Sequence, residues 1–187
     1  MQQKKSCAVC ALLLTLSLAT QAEVTDSASN GFSIRHSVDI RASRSAVYKA
    51  AVFDVGAWWN DEHTVSGAAA NLYIEPRPQG CFCEKLGEGA GLVHLTVSFV
   101  NPGVMLRLSG GLGPLGLMGV AGNMTWEFAD STDGTTVTWQ YAVGGYLPGG
   151  LDALAGPVDR VVVEQMARLK TFAERAADSG TEADNGP

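Results

Sequence analysis

The stretch that decides the fold is PVDRVVVEQMARLKTFAERAA, residues 157–177. Apolar residues recur in it at the spacing of one helix face, and charged residues fall mainly on the other side. Pro157 suits the first turn of a helix, where its missing N–H breaks no hydrogen bond. The stretch therefore predicts one long amphipathic helix from about Pro157 to Ala177. The residues at helical spacing are Val158, Val161, Val162, Gln165, Leu169, Phe172 and Ala176.

The residues before this helix are rich in predicted strands. Alternating or turn-bounded runs predict about seven of them, at residues 32–40, 72–75, 81–86, 92–100, 104–108, 124–128 and 135–143. Two short helices follow the first strand, one capped by Ser43 over residues 45–53 and one at residues 58–60. Turn residues at 101–103 and 130–134 favour antiparallel hairpins. We therefore predict an α+β fold, in which a curved, mostly antiparallel sheet wraps on the long helix that covers its apolar face.

Alternation along the strands predicts which side chains face the helix. In the last two strands the inward residues are Met124, Trp126, Phe128, Val137, Trp139, Tyr141 and Val143. In the strand at 92–100 they are Val93, Leu95, Val97 and Phe99, and this leaves His94, Thr96 and Ser98 outside. A β-bulge would exchange the two sets.

The two ends of the chain differ in composition from the middle. Lys4 and Lys5, an apolar run at 7–19 and small residues up to Ala22 match the three parts of a secretory signal, and the run is short for a bilayer span. We expect cleavage near Ala22 and export to the periplasm or the medium, with no stable membrane anchor after processing; the alternative is an uncleaved anchor. Residues 177–187 should form a disordered tail and residues 23–30 a similarly flexible segment. One domain, residues 31–176, remains.

Charge and motif content argue against several classes of function. The net charge is −6, and Lys and Arg form no cluster of the kind that nucleic-acid binding requires. The sequence also lacks the G-x-S-x-G, H-E-x-x-H and Walker lysine motifs. Catalysis by a serine–histidine–aspartate triad therefore has no local support.

A glycine-rich stretch, Gly111–Gly116, matches the G-x-G-x-x-G pattern of a dinucleotide-binding turn. Such a turn opens a crossover helix that leads to a parallel strand. Only about eight residues separate it from the next predicted strand, too few for that crossover, and Gly119 and Gly122 among them are poor helix formers. We therefore predict neither a nucleotide nor another cofactor, and expect the apolar residues of this loop to form a lid or wall over a cavity. These residues are Leu112, Leu115, Leu117 and Met118.

In order and spacing, several segments between residues 31 and 174 resemble the START-like SRPBCC superfamily, which has the helix-grip fold. The segments are 42–48, 58–59, 78–84, 100–104, 134–137, and 165 with 168–170. More closely, the chain looks like an exported bacterial member of the polyketide cyclase and heat-shock-ATPase-activator-like branch. The resemblance implies a deep apolar cavity between sheet and helix, which family members use for lipids, sterols, hormones or polyketides. It implies no cofactor and no universal catalytic residue, so fold constrains function only loosely.

Aromatic and polar residues of the predicted inner face are the candidates for ligand binding. Trp58 and Trp59 could line a cavity wall, where an indole offers apolar area and one N–H donor, or could be a core residue and a partly exposed anchor. Trp126 and Trp139 leave the same choice open, and the hydroxyl of Tyr141 could orient a ligand. The full set is Trp58, Trp59, Phe82, Leu112, Leu115, Leu117, Met118, Trp126, Trp139, Tyr141 and Gln165.

Glu84, Tyr141 and His63 are the candidates for chemistry. If Phe82 points inward, Glu84 does too, and a buried carboxyl has a raised pKa unless a partner holds it. The alternative for Glu84 is a salt bridge near the end of the strand. His63 lies either in a solvated loop or in one that folds over the cavity mouth and brings Asp61, Glu62 and Glu84 together.

Cys81 and Cys83 are the two cysteines left after processing. Export favours oxidation, but Cα atoms two residues apart on a regular strand lie about 6.5–7 Å apart, at the edge of the disulfide range. Free buried thiols are the simpler interpretation, and the redox state of the two cysteines stays open. A metal site from these thiols and His94 would lack further ligands, so no metal is predicted.

Three functions remain open. The first is binding of a small apolar molecule under the long helix. The second is a cyclase-like or hydrolase-like enzyme that uses a cavity carboxylate or histidine with Tyr141. The third is a structural or partner-binding domain whose cavity is filled by side chains. Because inward polar candidates are few, the sequence favours binding over catalysis.

Overall fold

The computed structural model describes the backbone of residues 23–184 and the side chains of residues 24–179. The predicted signal sequence, residues 1–22, and residues 185–187 lie outside the described residues.

Eight strands and three α-helices make up the described part of the chain. The strands are β1 (Glu23–Ala28), β2 (Gly31–Ile40), β3 (Leu72–Ile74), β4 (Cys81–Gly87), β5 (Ala90–Asn101), β6 (Met105–Gly110), β7 (Gly119–Ser131) and β8 (Gly134–Tyr146). The helices are α1 (Arg44–Phe53), α2 (Val55–Trp58) and α3 (Asp152–Asp184). Neighbouring strands are antiparallel throughout, in the order β1-β2-β8-β7-β6-β5-β4-β3. The predicted α+β architecture is confirmed, with one strand more than the sequence pattern indicates.

Helix α3 begins earlier and ends later than predicted. It starts at Asp152, so Pro157 lies inside it rather than in its first turn. Leu151 explains the early start, because it is fully buried and its N–H donates to the carbonyl of Ser29 at 2.9 Å. The helix then continues to Asp184, through most of the segment expected to be a disordered tail. Although α3 is long, no helix in residues 23–184 is both long and apolar enough to cross a membrane.

Residues 23–28, which we expected to be flexible, form the edge strand β1. They pair antiparallel with β2, and Val24 lies opposite Ile34. Val24 is half-buried and packs against the core. One apolar anchor and a ladder of backbone hydrogen bonds are therefore enough to order a segment whose composition is otherwise polar.

The apolar core lies between one face of the sheet and the helices. In β7 and β8 every residue predicted to face inward is buried, which confirms the alternation there. These residues are Met124, Trp126, Phe128, Val137, Trp139, Tyr141 and Val143.

A bulge between β4 and β5 reverses the prediction for His94. Cys83 pairs with Val93, whereas its neighbour Phe82 pairs with Leu95, so His94 is an extra residue in the ladder. As a result His94 is 6% exposed and Val93 is 57% exposed. The prediction of Val93 inside and His94 outside is therefore wrong, because it assumed an unbroken alternation.

A second irregularity in β5 lies between Val97 and Phe99 in the pairing with β6. It turns Phe99 outward, where its side chain is 43% exposed, and this corrects the prediction that Phe99 faces the helix. Leu95 and Val97, between the two irregularities, are buried as predicted.

A buried histidine–aspartate pair joins α3 to the sheet. His36 Nε2 of β2 lies 2.5 Å from Asp159 Oδ1 of α3, and the two side chains are 7% and 12% exposed. Nearer the end of α3, the backbone N–H of Arg41 donates to Glu174 Oε1 at 3.0 Å. The helix is therefore held along β2 by specific polar contacts as well as by apolar packing.

Replacing Asp159 with alanine should lower the free energy of unfolding by about 3 kcal/mol, because it leaves the buried His36 ring without its partner. The double variant His36→Phe/Asp159→Leu should recover most of that loss. Urea titrations followed by circular dichroism measure both values. An Asp159→Ala loss below about 0.5 kcal/mol, the usual size of a surface effect, would show that the pair does not hold α3.

Candidate functional site

Five aromatic side chains form one connected group between the sheet and the helices, here called the aromatic row. Trp126 of β7 and Trp139 of β8 are register partners, and their rings stack at 4.3 Å and 6°. Trp58 of α2 contacts both, with ring centroids 6.5 and 6.1 Å away. Trp59 follows at 5.5 Å from Trp58, and Phe82 of β4 lies edge-on to Trp59 at 5.3 Å. The row therefore runs from the middle of the sheet to β4 through residues of four elements.

The four indole N–H groups of the row divide into two pairs. Trp58 Nε1 donates to the carbonyl of Ala50 at 2.9 Å, and Trp59 Nε1 donates to the carbonyl of His63 at 3.1 Å. Trp126 Nε1 and Trp139 Nε1 are buried and have no hydrogen-bond partner among the described residues. Buried donors in folded proteins are nearly always paired, so these two indoles call for acceptors that the described side chains do not supply.

Gln165 of α3 adds a third donor of this kind. Its side chain is fully buried, and its Oε1 accepts the backbone N–H of Asn60 at 2.9 Å. That bond fixes the orientation of the amide, because only the oxygen can accept a proton. Nε2 therefore points its two N–H bonds elsewhere, and it has no partner among the described residues.

Glu84 of β4 is buried, and it is held by three hydrogen bonds. Its carboxylate accepts the N–H of Val65 at 3.1 Å, the N–H of Ser66 at 2.5 Å and Nε2–H of His94 at 2.8 Å. Burial alone would raise the pKa of Glu84, but the hydrogen bonds from Ser66, Val65 and His94 outweigh it and lower the pKa to about 2. Glu84 is therefore an ionised, fixed carboxylate rather than the proton-holding acid that its burial suggested.

His94 is the residue that sequence reasoning missed. The bulge turns it inward beside Glu84, and its ring lies 5.6 Å from that of Phe82, at the end of the aromatic row. Nε2 is engaged with Glu84, while Nδ1 is buried and has no partner among the described residues. The sequence offered little signal for this, because neither composition nor alternation marks the position of an extra residue in a strand.

Cys81 and Cys83 form a disulfide, which answers the question of their redox state that the sequence left open. Their Cα atoms lie 5.4 Å apart rather than at the spacing of a regular strand. This separation lies within the usual range for a disulfide. Within the described residues no group of three or more His, Cys, Asp or Glu side chains is placed to hold a metal ion.

The loop after α2 reaches Glu84 through its backbone, not through the acidic and histidine side chains considered from the sequence. His63 Nε2 lies 3.1 Å from Glu164 Oε2 on α3, and Asp61 Oδ1 accepts the N–H of Ala69 at 2.6 Å. The structure therefore places His63 in a half-exposed pair at the surface of α3, apart from Glu84.

Tyr141 anchors the glycine-rich loop between β6 and β7. Its hydroxyl donates to the carbonyl of Gly110 at 3.1 Å and accepts the N–H of Leu112 at 3.0 Å. Burial raises its pKa to about 12, so the hydroxyl keeps its proton at physiological pH. Within the loop Leu115 is buried and Leu112 is half-buried.

The remaining apolar residues of this loop lie farther out. Met118 is half-buried against the core, whereas Leu117 is 91% exposed and lies outside the interior. The glycines have a local explanation, since a Cβ on Gly111 would come within 2.6 Å of the backbone of Leu115, and Gly113 has φ of +58°. Because β6 and β7 pair directly and antiparallel, the loop is a hairpin connection and not a dinucleotide-binding crossover.

An open groove between α2 and α3 leads toward the aromatic row. Its volume is about 470 Å³, and Trp58 lies in its wall. Ala167 and Phe172 give it an apolar side, while Glu164, Arg168 and Arg175 place one anionic and two cationic side chains in its wall. Arg168 is also structural, because its Nε donates to the carbonyl of Trp58 at 2.7 Å.

No protein-family model matches the chain, and no curated protein matches it. Several solved structures are similar to it. An uncharacterized protein from Rhizobium leguminosarum is similar at 17% identity and a TM-score of 0.58, over 81% of this chain and 99% of that one. A protein from Chromobacterium violaceum is similar at 17% identity and a TM-score of 0.53, over 76% and 96%. DynU16, from the dynemicin biosynthetic locus, is similar at 17% identity and a TM-score of 0.53; the match covers 78% of this chain and 48%, about half, of DynU16. At 17% sequence identity, the similarity to these structures establishes the fold and nothing more.

Replacing Glu84 with glutamine should lower the free energy of unfolding by about 3 kcal/mol at neutral pH. The folded-state pKa lies below the ordinary value of 4.5, so the contribution of the carboxylate is full above pH 4.5 and is lost as the pH falls toward about 2. The stability curves of the two proteins should therefore converge over that interval in urea titrations at a series of pH values. Glu88→Gln, an exposed glutamate after the same strand, is the matched control. Parallel curves for wild type and Glu84→Gln would contradict the assignment.

Proposed function

We propose that the chain is an exported member of the START-like SRPBCC superfamily that binds a small, largely apolar molecule between the sheet and α3. The fold shared with the solved structures is compatible with this family, and one of those structures belongs to a biosynthetic locus. The aromatic row supplies flat apolar surface of the kind that lines small-molecule sites.

The observation that carries the proposal is the pair of unpartnered indole N–H groups on Trp126 and Trp139. A buried donor without an acceptor costs about 1–3 kcal/mol. If the row served only to fill a core, phenylalanine would pack there without that cost. A bound molecule that brings an acceptor oxygen removes it, and Gln165 Nε2 is a third buried donor without a partner among the described residues.

These features define the class of ligand. Its body is apolar and flat enough to lie against indole and phenyl faces, and it carries at least one carbonyl or ether oxygen. The groove between α2 and α3 offers a route inward, because Trp58 belongs both to its wall and to the aromatic row. Its volume falls in the range of small-molecule sites.

Export rests on the sequence of residues 1–22 and is supported by the Cys81–Cys83 disulfide. Disulfides persist in oxidising compartments and are rare in the cytosol. We therefore place the function in the periplasm or the medium.

A matched pair of probes tests the binding proposal. 9-Fluorenone and fluorene share one flat ring system, and only fluorenone has a carbonyl acceptor. Calorimetric titration should give fluorenone the higher affinity, by about tenfold, and Trp126→Phe and Trp139→Phe should each reduce that preference. Trp59 already donates its indole N–H to the carbonyl of His63, so the ratio of the affinities for the two probes should stay in Trp59→Phe as it is in wild type. If neither probe binds, the domain whose cavity is filled by side chains replaces the proposal. Equal affinities for the two probes would show that the indole donors do not bind the ligand.

The export proposal has its own test. The full chain, expressed in a Gram-negative host, should appear in the periplasm or the medium with an amino terminus near residue 23. A Leu13→Asp/Leu14→Asp variant should stay unprocessed inside the cell, because charges in the apolar run abolish a signal. An intact amino terminus on exported wild-type protein would contradict cleavage.

A further inference from the structure

The pair formed by His94 and Glu84 is a second polar centre of the interior, and it is built differently from the donors of the indoles. Both side chains are buried, at 4% and 0% exposure, and Nε2 and the carboxylate are bound to each other. The carboxylate is held on its other side by the N–H groups of Val65 and Ser66. Nδ1 of His94 is the single unengaged atom of this arrangement among the described residues.

Glu84 determines the tautomer and the orientation of the His94 ring. A carboxylate that accepts Nε2–H fixes the tautomer of a neutral imidazole, so that Nδ1 carries the lone pair. The same carboxylate stabilises the imidazolium if Nδ1 takes up a proton, as the aspartate does for histidine in a catalytic triad. The two backbone N–H groups prevent Glu84 from turning away.

The position of the pair identifies where such a proton would come from. His94 lies against Phe82, the last ring of the aromatic row. The indole donors of Trp126 and Trp139 belong to the other end of that row, with the rings of Trp58 and Trp59 between. A flat molecule that lies against Phe82 would place a functional group beside His94, apart from the indole donors.

We infer that His94 Nδ1, oriented by Glu84, takes the proton of an acidic hydroxyl on the bound molecule, a phenol or an enol, so that the ligand is held as its anion. The O–H bond of the ligand breaks and an N–H bond forms at Nδ1, and the electron pair stays on the ligand oxygen. The site then holds an imidazolium between two anions, Glu84 and the ligand oxygen, and the net charge is unchanged. This inference rests on the proposed function and specifies that its ligand carries a phenolic or enolic hydroxyl.

The test uses three molecules of one shape: 9-fluorenone, 2-hydroxy-9-fluorenone and 2-methoxy-9-fluorenone. Below the pKa of the free phenol, wild-type protein should bind the hydroxy compound with the red-shifted absorbance of its anion. The methoxy compound, which has no acidic proton, should bind without a comparable band and about tenfold more weakly. Binding of the hydroxy compound with the spectrum of the neutral phenol would overturn the inference.

His94→Gln is the decisive variant, because its amide can still donate to Glu84 from the position of Nε2 but has no base at the position of Nδ1. It should bind the hydroxy compound without the anion band. His63→Gln is the matched control and should keep the band, because its amide can still donate to Glu164 and so leaves the loop in place. A band that persists in His94→Gln would overturn the inference.

A measurement on wild-type protein avoids any dependence on the folding of variants. With 15N-labelled histidine, the Nδ1 resonance of His94 should move from the unprotonated to the protonated range when the hydroxy compound is added, and should not do so with the methoxy compound. If none of the three compounds binds, both this inference and the proposed function fail. If fluorenone binds and the hydroxy compound leaves Nδ1 unprotonated, the proposed function stands and this inference alone fails.

Discussion

The contact between His36 and Asp159 fixes α3 on the sheet, and the interior site depends on where α3 lies. From α3, Gln165 holds the backbone of Asn60, and Glu164 holds the side chains of Asn60 and His63. These bonds place the loop that follows α2. The N–H groups of that loop at residues 65 and 66 hold Glu84, and Glu84 orients His94. A contact on β2 is therefore connected to an imidazole on β5 through one helix and one loop.

The regular part of the fold could be predicted from the sequence because it depends on periodicity alone. The alternation of β7 and β8 placed Trp126, Trp139 and Tyr141 inside, and α3 was evident from its apolar face. The departures have specific causes. Val24 and Leu151 are single apolar residues whose partners come from distant parts of the chain, and no local pattern reveals such partners. The ends of elements that depend on them were accordingly predicted wrongly at β1 and at the start of α3.

In the candidate site, too, the regular features could be predicted from the sequence and the irregular ones could not. Residue type and alternation drew attention to Glu84 and to the tryptophans, but not to the partners that determine their state. One inserted residue in β5 brought His94 inside and sent Val93 out, and composition gives little sign of a bulge. The G-x-G-x-x-G match shows the converse, since its glycines satisfy local packing in a hairpin loop that Tyr141 ties to β8. In both cases the pairing of strands, not the identity of the residues, decides the role.

The Cys81–Cys83 disulfide within β4 has a consequence for biosynthesis. In residues 23–187 Cys81 and Cys83 are the complete set of cysteines. A chain of that extent can oxidise to one internal disulfide only, so no incorrect internal pairing exists for an isomerase to reverse. The bond closes over one intervening residue, and its formation does not wait for distant parts of the chain to meet. An oxidant is thus sufficient to form the one internal disulfide of a chain limited to residues 23–187.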